Sequence, residues 1–200
     1  MNSQKSIKFT RGDGLLEGFL AKKRANRANS LIPAEARKGN ILDIGCGSYP
    51  YFLLSTDFSQ KYGIDPSLLK TNVNSNIHLK KAAISNKKLA YSSNFFDVVT
   101  MLAVFEHIDF EYLTNVLSET HRVLKKNGKL IITTPAPWSD KILHFTARTG
   151  LISSEEIHEH KHNHPSSKIV SLLVAAGFKK QKISSGFFEL GLNMWFSASK

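Results

Sequence analysis

Cysteine is almost absent. The 200-residue chain has one, Cys46, so no disulfide framework can staple it, and a reducing, cytoplasmic setting is the expectation. No apolar run reaches the roughly 18 residues of a membrane span, and no apolar leader opens the sequence, so neither spanning nor secretion is expected. There is no internal repeat and no low-complexity tract. Acidic residues are scarce: 16 Asp/Glu stand against 27 Lys/Arg, a formal charge of +11. Residues 1–40 hold nine Lys/Arg and three Asp/Glu, so +6 of that charge precedes the first strand pattern. Such a basic surface suits nucleic acid, anionic lipid or a phosphorylated substrate, and also plain solvation. The remainder is ordinary. With 42% hydrophobic and 22% charged residues, one globular domain over residues 1–200 is expected, large enough to bury a core unaided.

The chain is organised around residues 41–67. Ile41-Leu42-Asp43-Ile44 is a short apolar run of the kind that makes a buried parallel strand. Gly45-Cys46-Gly47 makes a turn, an apolar segment of helical length follows, and Lys61-Tyr62-Gly63-Ile64 closes on Asp65. Strand, glycine turn, helix and strand with an acidic end form the βαβ unit that holds an adenosine-bearing cofactor. The glycines admit close backbone approach, and Asp65 can accept both ribose hydroxyls or, with Pro66 behind it, cap a helix. The dinucleotide fingerprint G-x-G-x-x-G lacks its third glycine here, and Tyr49 and Pro50 stand where a pyrophosphate needs open backbone. Asp43 would repel a phosphate but suits a cation. S-adenosylmethionine (SAM), with a sulfonium, an ammonium and no phosphate, fits that charge pattern.

Five blocks in order carry a resemblance: D-I-G-C-G at 43–47, Asp65, F-D-V-V at 96–99, F-E-H-I at 105–108 and R-V-L-K-K-N-G-K-L-I-I-T-T-P at 122–135. Together they resemble a class I SAM-dependent methyltransferase, most similar to the small-molecule group that includes the ubiquinone-type O-methyltransferases. The flanking pieces G-L-L-E-G-F-L-A-K-K-R and L-I-S-S-E-E-I-H-E-H-K-H resemble members linked to bacterial surface-polysaccharide gene clusters. The resemblance implies an α/β fold: a doubly wound, mostly parallel seven-stranded Rossmann-like sheet with an antiparallel last strand and helices on both faces. It also implies cofactor contacts from Asp43, Gly45, Cys46, Gly47, Asp65, Ile84, Leu102 and Ala103, with S-adenosylhomocysteine (SAH) as product. Relatives carry an acidic residue just after the third strand. Ile84-Ser85-Asn86 stands there instead, so backbone and apolar contacts are expected to hold the adenine.

Along the chain, Leu15, Leu16, Phe19, Leu20, Ala25, Ala28 and Leu31 recur at helical spacing opposite Lys22, Lys23, Arg24 and Arg27, an amphipathic basic helix within residues 1–32. It can cap or pack the domain, meet a membrane surface or lipid-linked substrate, or serve as a nucleic-acid arm. Residues 78–84 read as the third strand, 95–102 as the fourth, 110–126 as a helix ended by Asn127-Gly128, and 129–134 as the fifth strand. Residues 138–164 read as an inserted segment over the substrate, and 182–185 with 194–198 as a closing antiparallel pair.

Histidine as a residue type suits proton transfer near neutral pH, which makes His107 the candidate base or substrate contact, although a histidine in F-E-H-I can also serve structurally at a helix start. Ubiquinone-type relatives use an acid three positions before the E-H pair to help hold a divalent ion. Here that position is Ala103, so no metal is expected. The alternating His158, His160, His162 and His164 offer i, i+4 pairs of zinc-competent spacing, but alternation splits them between faces. A rim loop lending one imidazole, His162, to the substrate is the expectation, with Trp138 and His144 as pocket walls or core. The functional expectation is methyl transfer, O-directed, onto a small-molecule or lipid- or sugar-linked acceptor. An RNA methyltransferase is the alternative, disfavoured because Leu102-Ala103-Val104-Phe105 lacks the N/D-P-P-Y motif used on flipped bases. A non-catalytic SAM-binding scaffold is the other.

Overall fold

A sheet of seven strands in the order β3-β2-β1-β4-β5-β7-β6 organises the computed structural model. It describes residues 17–69, 73–84, 88–139 and 164–200. The strands are β1 (Asn40–Ile44), β2 (Gln60–Asp65), β3 (Ile77–Lys81), β4 (Phe96–Leu102), β5 (Leu124–Pro135), β6 (Ile183–Phe188) and β7 (Asn193–Ser199). β1 to β5 pair in parallel, and β7 runs antiparallel between β5 and β6. The α/β, doubly wound expectation holds, antiparallel last strand included.

Side-chain alternation covers both faces. Ile41, Val98 and Ile131 point to one side, where they meet Ala25 and Ala28 of α1 (Glu17–Leu31) and Phe52 and Leu53 of α2 (Tyr51–Ser55). Leu42, Val99, Leu130 and Ile132 point to the other. There they meet Leu113, Val116 and Leu117 of α3 (Phe110–Val123) and Ile169, Leu172 and Leu173 of α4 (Ser166–Ala175). Strands buried on both faces explain the continuous apolar runs of the sequence. Truncating one such fully buried leucine costs about 2–5 kcal/mol.

The boundaries differ from expectation for local reasons. α2 has only five residues, because Pro50 stands at its start and Thr56 turns extended (φ −118°, ψ 153°). Thr56 is held there by its hydroxyl donating to Asn29 Oδ1 at 2.6 Å and by its carbonyl accepting from Lys61 Nζ. α3 stops at Val123 rather than 126. Leu124 takes extended backbone, is fully buried and pairs with Phe96, so strand pairing overrides three more residues of helix. β3 ends at Lys81, and only the Ala82 N–H still reaches Asp65 O. β6 and β7 run longer than expected.

α1 corrects the helical-wheel reading. Its buried stripe is Ala25 and Ala28, continued by Ile32, whereas Phe19 is 56% exposed. Small residues let the helix lie close to the sheet. Arg27, expected in solvent, lies with its guanidinium 5.9 Å from the Phe188 ring and 5.8 Å from that of Trp195. Lys129 Nζ donates to Leu31 O, which ties the C-terminal end of α1 to the middle of β5, and Ala21 and Arg24, nearer its N-terminus, reach the cleft at the strand's carboxyl end.

Strand order reverses between β1 and β4: the chain winds outward through β2 and β3 on one side and through β4 and β5 on the other. Doubly wound sheets bind ligands at the carboxyl edge of this switch point.

Candidate functional site

A cleft of about 350 Å³ opens at that edge. Every residue expected to meet the cofactor lines it: Asp43, Gly45, Cys46, Gly47, Asp65, Ile84, Leu102 and Ala103. His107 lines it too.

The turn after β1 is built on left-handed backbone at Gly45 (φ 76°) and Gly47 (φ 79°). A Cβ at Gly45 would also fall 2.3 Å from Val104 Cγ2, so glycine is required there on two counts. The Gly45 N–H donates to Ile64 O at 2.8 Å, and the Gly47 N–H donates to Asp65 Oδ2 at 2.9 Å. Asp65 Oδ1 accepts from the Ser67 N–H at 2.7 Å and from the Ser67 hydroxyl. The carboxylate thus fixes both the glycine turn and the turn after β2, and it borders the cleft. Its ribose-acceptor and turn-capping readings are compatible.

Asp43 sits opposite Thr100 on β4 and is 3% exposed. Thr100 Oγ1 donates to its Oδ1 at 2.6 Å. Among the described residues no cation pairs with it. Burial pushes its carboxyl up to about 7, the Thr100 bond pulls back, and the negative charge of Asp65 pushes further. The neighbouring Asp43 and Asp65 carboxyls make this wall acidic. Burial also pushes the Cys46 thiol up, with the charges of Asp43 and Asp65 acting the same way, so Cys46 packs as a neutral thiol and is no nucleophile.

After β4 the chain turns through Ala103 in left-handed conformation (φ 55°), its N–H donating to Thr133 O at 2.9 Å. A short turn, Phe105–His107, then separates two neighbours. Glu106 is 1% exposed and accepts from the Thr134 hydroxyl at 3.1 Å inside the protein, while His107 faces the cleft. The pair therefore diverges. Among the described residues no group of three His, Cys, Asp or Glu side chains is placed to hold a metal ion.

Sequence reasoning missed part of the wall. Ala21 and Arg24 of α1, Tyr49 and Tyr51 at the start of α2, and Asp109 before α3 also line the cleft. Arg24 had been assigned to the solvent face with Lys22 and Lys23. Its Nε donates to Leu20 O, on the border between the sheet-facing alanines and solvent. The Ala21/Ala25/Ala28 stripe was the available signal, since it turns Arg24 toward the sheet's end. Trp138, expected as a pocket wall or as core, is 54% exposed and lies tilted against Phe187, with ring centres 5.1 Å apart; it does not line the cleft. His144, His162 and most of the 138–164 insert lie outside the described residues, as does the chain before residue 17. Among the described residues no helix is long and apolar enough to cross a membrane.

Residues 16–183 match the model of a methyltransferase domain. No curated protein matches the chain in sequence. Among solved structures, the fold is similar to a SAM-dependent methyltransferase from Archaeoglobus fulgidus (17% identity, TM-score 0.66, covering 91% of this chain and 94% of that one). It is also similar to one from Mesorhizobium loti (15%, 0.66, 90% and 100%). A third is a putative SAM-dependent methyltransferase from Listeria monocytogenes (16%, 0.65, 90% and 99%).

Proposed function

Since the chain belongs to the class I SAM-dependent methyltransferases, with SAM as its methyl donor, we propose that it methylates a hydroxyl oxygen. The acceptor is a small molecule or a lipid- or sugar-linked one, held at the His107 side of the cleft. The observation that carries this reading is the convergence of the glycine turn, Asp43, Asp65 and His107 on one cleft at the switch point. SAM supplies an electrophilic methyl on a sulfonium. The protein's work is then placement, proton removal and exclusion of water.

The cleft's chemistry fits that donor. Gly45 and Gly47 allow close backbone approach. Asp65, at the end of β2 on the cleft wall, would accept from the ribose hydroxyls. Asp43 finds in the cofactor's cationic end the partner its burial withholds, which favours its ionised form. Arg24, across the cleft on α1, carries the positive charge that the methionine carboxylate needs. Ile84 and Ala83 offer an apolar edge to the adenine. His107 accepts the hydroxyl proton at a ring nitrogen as the oxygen attacks.

The test is a paired measurement on His107→Gln: methyl transfer from labelled SAM to a hydroxyl-bearing acceptor pool, and SAH affinity by calorimetry. Loss of a general base lowers turnover by about 10²–10⁴ and leaves SAH binding unchanged. Full turnover in the variant would exclude His107 as the base.

A further inference from the structure

We infer that the rim of the cleft on the α1 and β6–β7 side docks on an anionic lipid bilayer, so that the acceptor is taken from a membrane surface. Three segments meet there. The β6–β7 turn lies at the carboxyl end of the sheet, because Pro135 at the end of β5 pairs with Asn193 at the start of β7. The N-terminal half of α1 lies at the same end, since Ala21 and Arg24 line the cleft there while its last residue is tied to Lys129 in the middle of β5. Lys23 and Arg24 of α1 are near enough to the turn for their charges to act on Glu189. Trp138 follows β5 and rests on Phe187.

What these segments expose is apolar and basic. Leu190 is fully exposed, and Phe19, Phe187 and Trp138 are each at least half exposed. Lys22 and Lys23 are exposed on α1, with Lys23 Nζ 5.2 Å from the Phe19 ring centre. Among the described residues the acid of this rim is Glu189, which accepts from Asn193 Nδ2 and lies within reach of Lys23 and Arg24; it offsets part of their charge, and Lys22 adds a further exposed cation.

Leu190 is the decisive residue. The Gly191 N–H donates to Phe188 O across a turn whose two central residues, Glu189 (φ 53°) and Leu190 (φ 56°), are both left-handed. Such a turn selects Gly, Asn or Asp, and solvent selects against leucine. A leucine that satisfies neither local rule is where a function outside the fold is to be sought. A bilayer uses every part of this rim: leucine and phenylalanine enter the acyl boundary, tryptophan prefers the interface, and the lysines meet anionic headgroups. A nucleic acid would use the charges and the rings but gains nothing from Leu190. The cleft, with Ala21 and Arg24 of the same helix in its wall, opens beside this surface. The proposal rests on the methyltransferase reading only for what is drawn from the membrane; docking itself is measured without methyl transfer.

The test is co-sedimentation of the full chain with vesicles of phosphatidylcholine alone and of phosphatidylcholine containing one third phosphatidylglycerol, with SAH-induced thermal shift recorded in parallel. Binding to the anionic vesicles is expected, weak on the neutral ones and weakened by salt. Lys22→Ala and Lys23→Ala should each lower partitioning about five-fold. Leu190→Ser with Phe187→Ser should lower it ten-fold or more, with the SAH shift intact. A chain that responds to SAH but ignores anionic vesicles overturns the docking proposal and leaves the methyltransferase reading standing. Vesicle binding without an SAH response does the reverse. Binding indifferent to Leu190 and Phe187, RNA binding that those two changes abolish, or a dimer that they dissociate would each overturn the bilayer as occupant.

Discussion

Asp43 should destabilise the cofactor-free protein near neutral pH, and replacing it should show this directly. Burial raises its carboxyl from an ordinary 3.8 to about 7. The unfolded chain therefore loses this proton from about pH 4 upward, while the folded chain keeps it until about pH 7. Between those limits the folded state binds more protons, so stability falls as pH rises; below pH 4 and above pH 7 the contribution is flat. At about 1.4 kcal/mol for each pH unit between the two values, the loss is about 4 kcal/mol at most. Asp43→Asn keeps the shape and can still accept the Thr100 hydroxyl bond, but it does not titrate. The assay is urea unfolding of both proteins at intervals from pH 4 to 8.5, without cofactor. The stability of the Asn variant relative to wild type should climb by about 2–4 kcal/mol up to pH 7 and then level. At about 2–4 °C per kcal/mol for a chain of this size, thermal scans should show it as well. SAM should reverse the order, protecting wild type strongly and the variant little. Parallel pH curves for the two proteins would refute the reasoning, because Asp43 would then not be a buried acid awaiting a cation.

Four other outcomes follow from the same geometry. Calorimetric titration of SAM near pH 7 in two buffers of different ionisation enthalpy should reveal proton release in wild type and none in Asp43→Asn. Gly45→Ala, which forces a Cβ into Val104 on left-handed backbone, should cost more than about 2 kcal/mol, whereas Ala103→Gly should be neutral or stabilising by up to about 1 kcal/mol; chemical denaturation separates the two. Arg24→Ala should weaken SAH binding about ten-fold or more, as expected for a lost charged hydrogen bond, with unfolding unaffected within about 0.5 kcal/mol. Leu117→Ala, fully buried between α3 and the sheet, should lower stability by about 2–5 kcal/mol without altering SAH affinity relative to folded protein.

The glycine-turn half of the cleft was legible because its signals are local. A buried strand, two glycines on left-handed backbone and an acid ending the next strand are written in consecutive residues, and the fold brings them together whatever happens elsewhere. The doubly wound, mostly parallel sheet of seven strands with its antiparallel last strand came with the resemblance, and the strand patterns agreed with it. α1 was less legible. Alanines do its packing, so the apolar positions Phe19 and Leu20 misled the wheel and Arg24 was set in solvent. The end of α3 was also hidden, because the pairing of Leu124 with Phe96 is a long-range choice that helix propensity does not record. Nothing in Phe-Glu-Leu-Gly-Leu announces a turn centred on Glu189 and Leu190, since that turn favours other residues. The rest of the cleft wall was harder to read for a plainer reason: Arg24, Tyr51 and Asp109 come from separated segments that only the folded chain assembles, although His107 was named from its motif.

The central claim is that this cleft holds SAM by the Asp65 carboxylate at the end of β2. Titration calorimetry of SAH against wild type and Asp65→Asn tests it most directly, with circular dichroism confirming that both are folded. One binding site per chain is expected in wild type, and an affinity about 10–100-fold lower in the variant, the worth of a charged hydrogen bond to the ribose. No heat with folded wild type, or equal affinity in the two proteins, would contradict it.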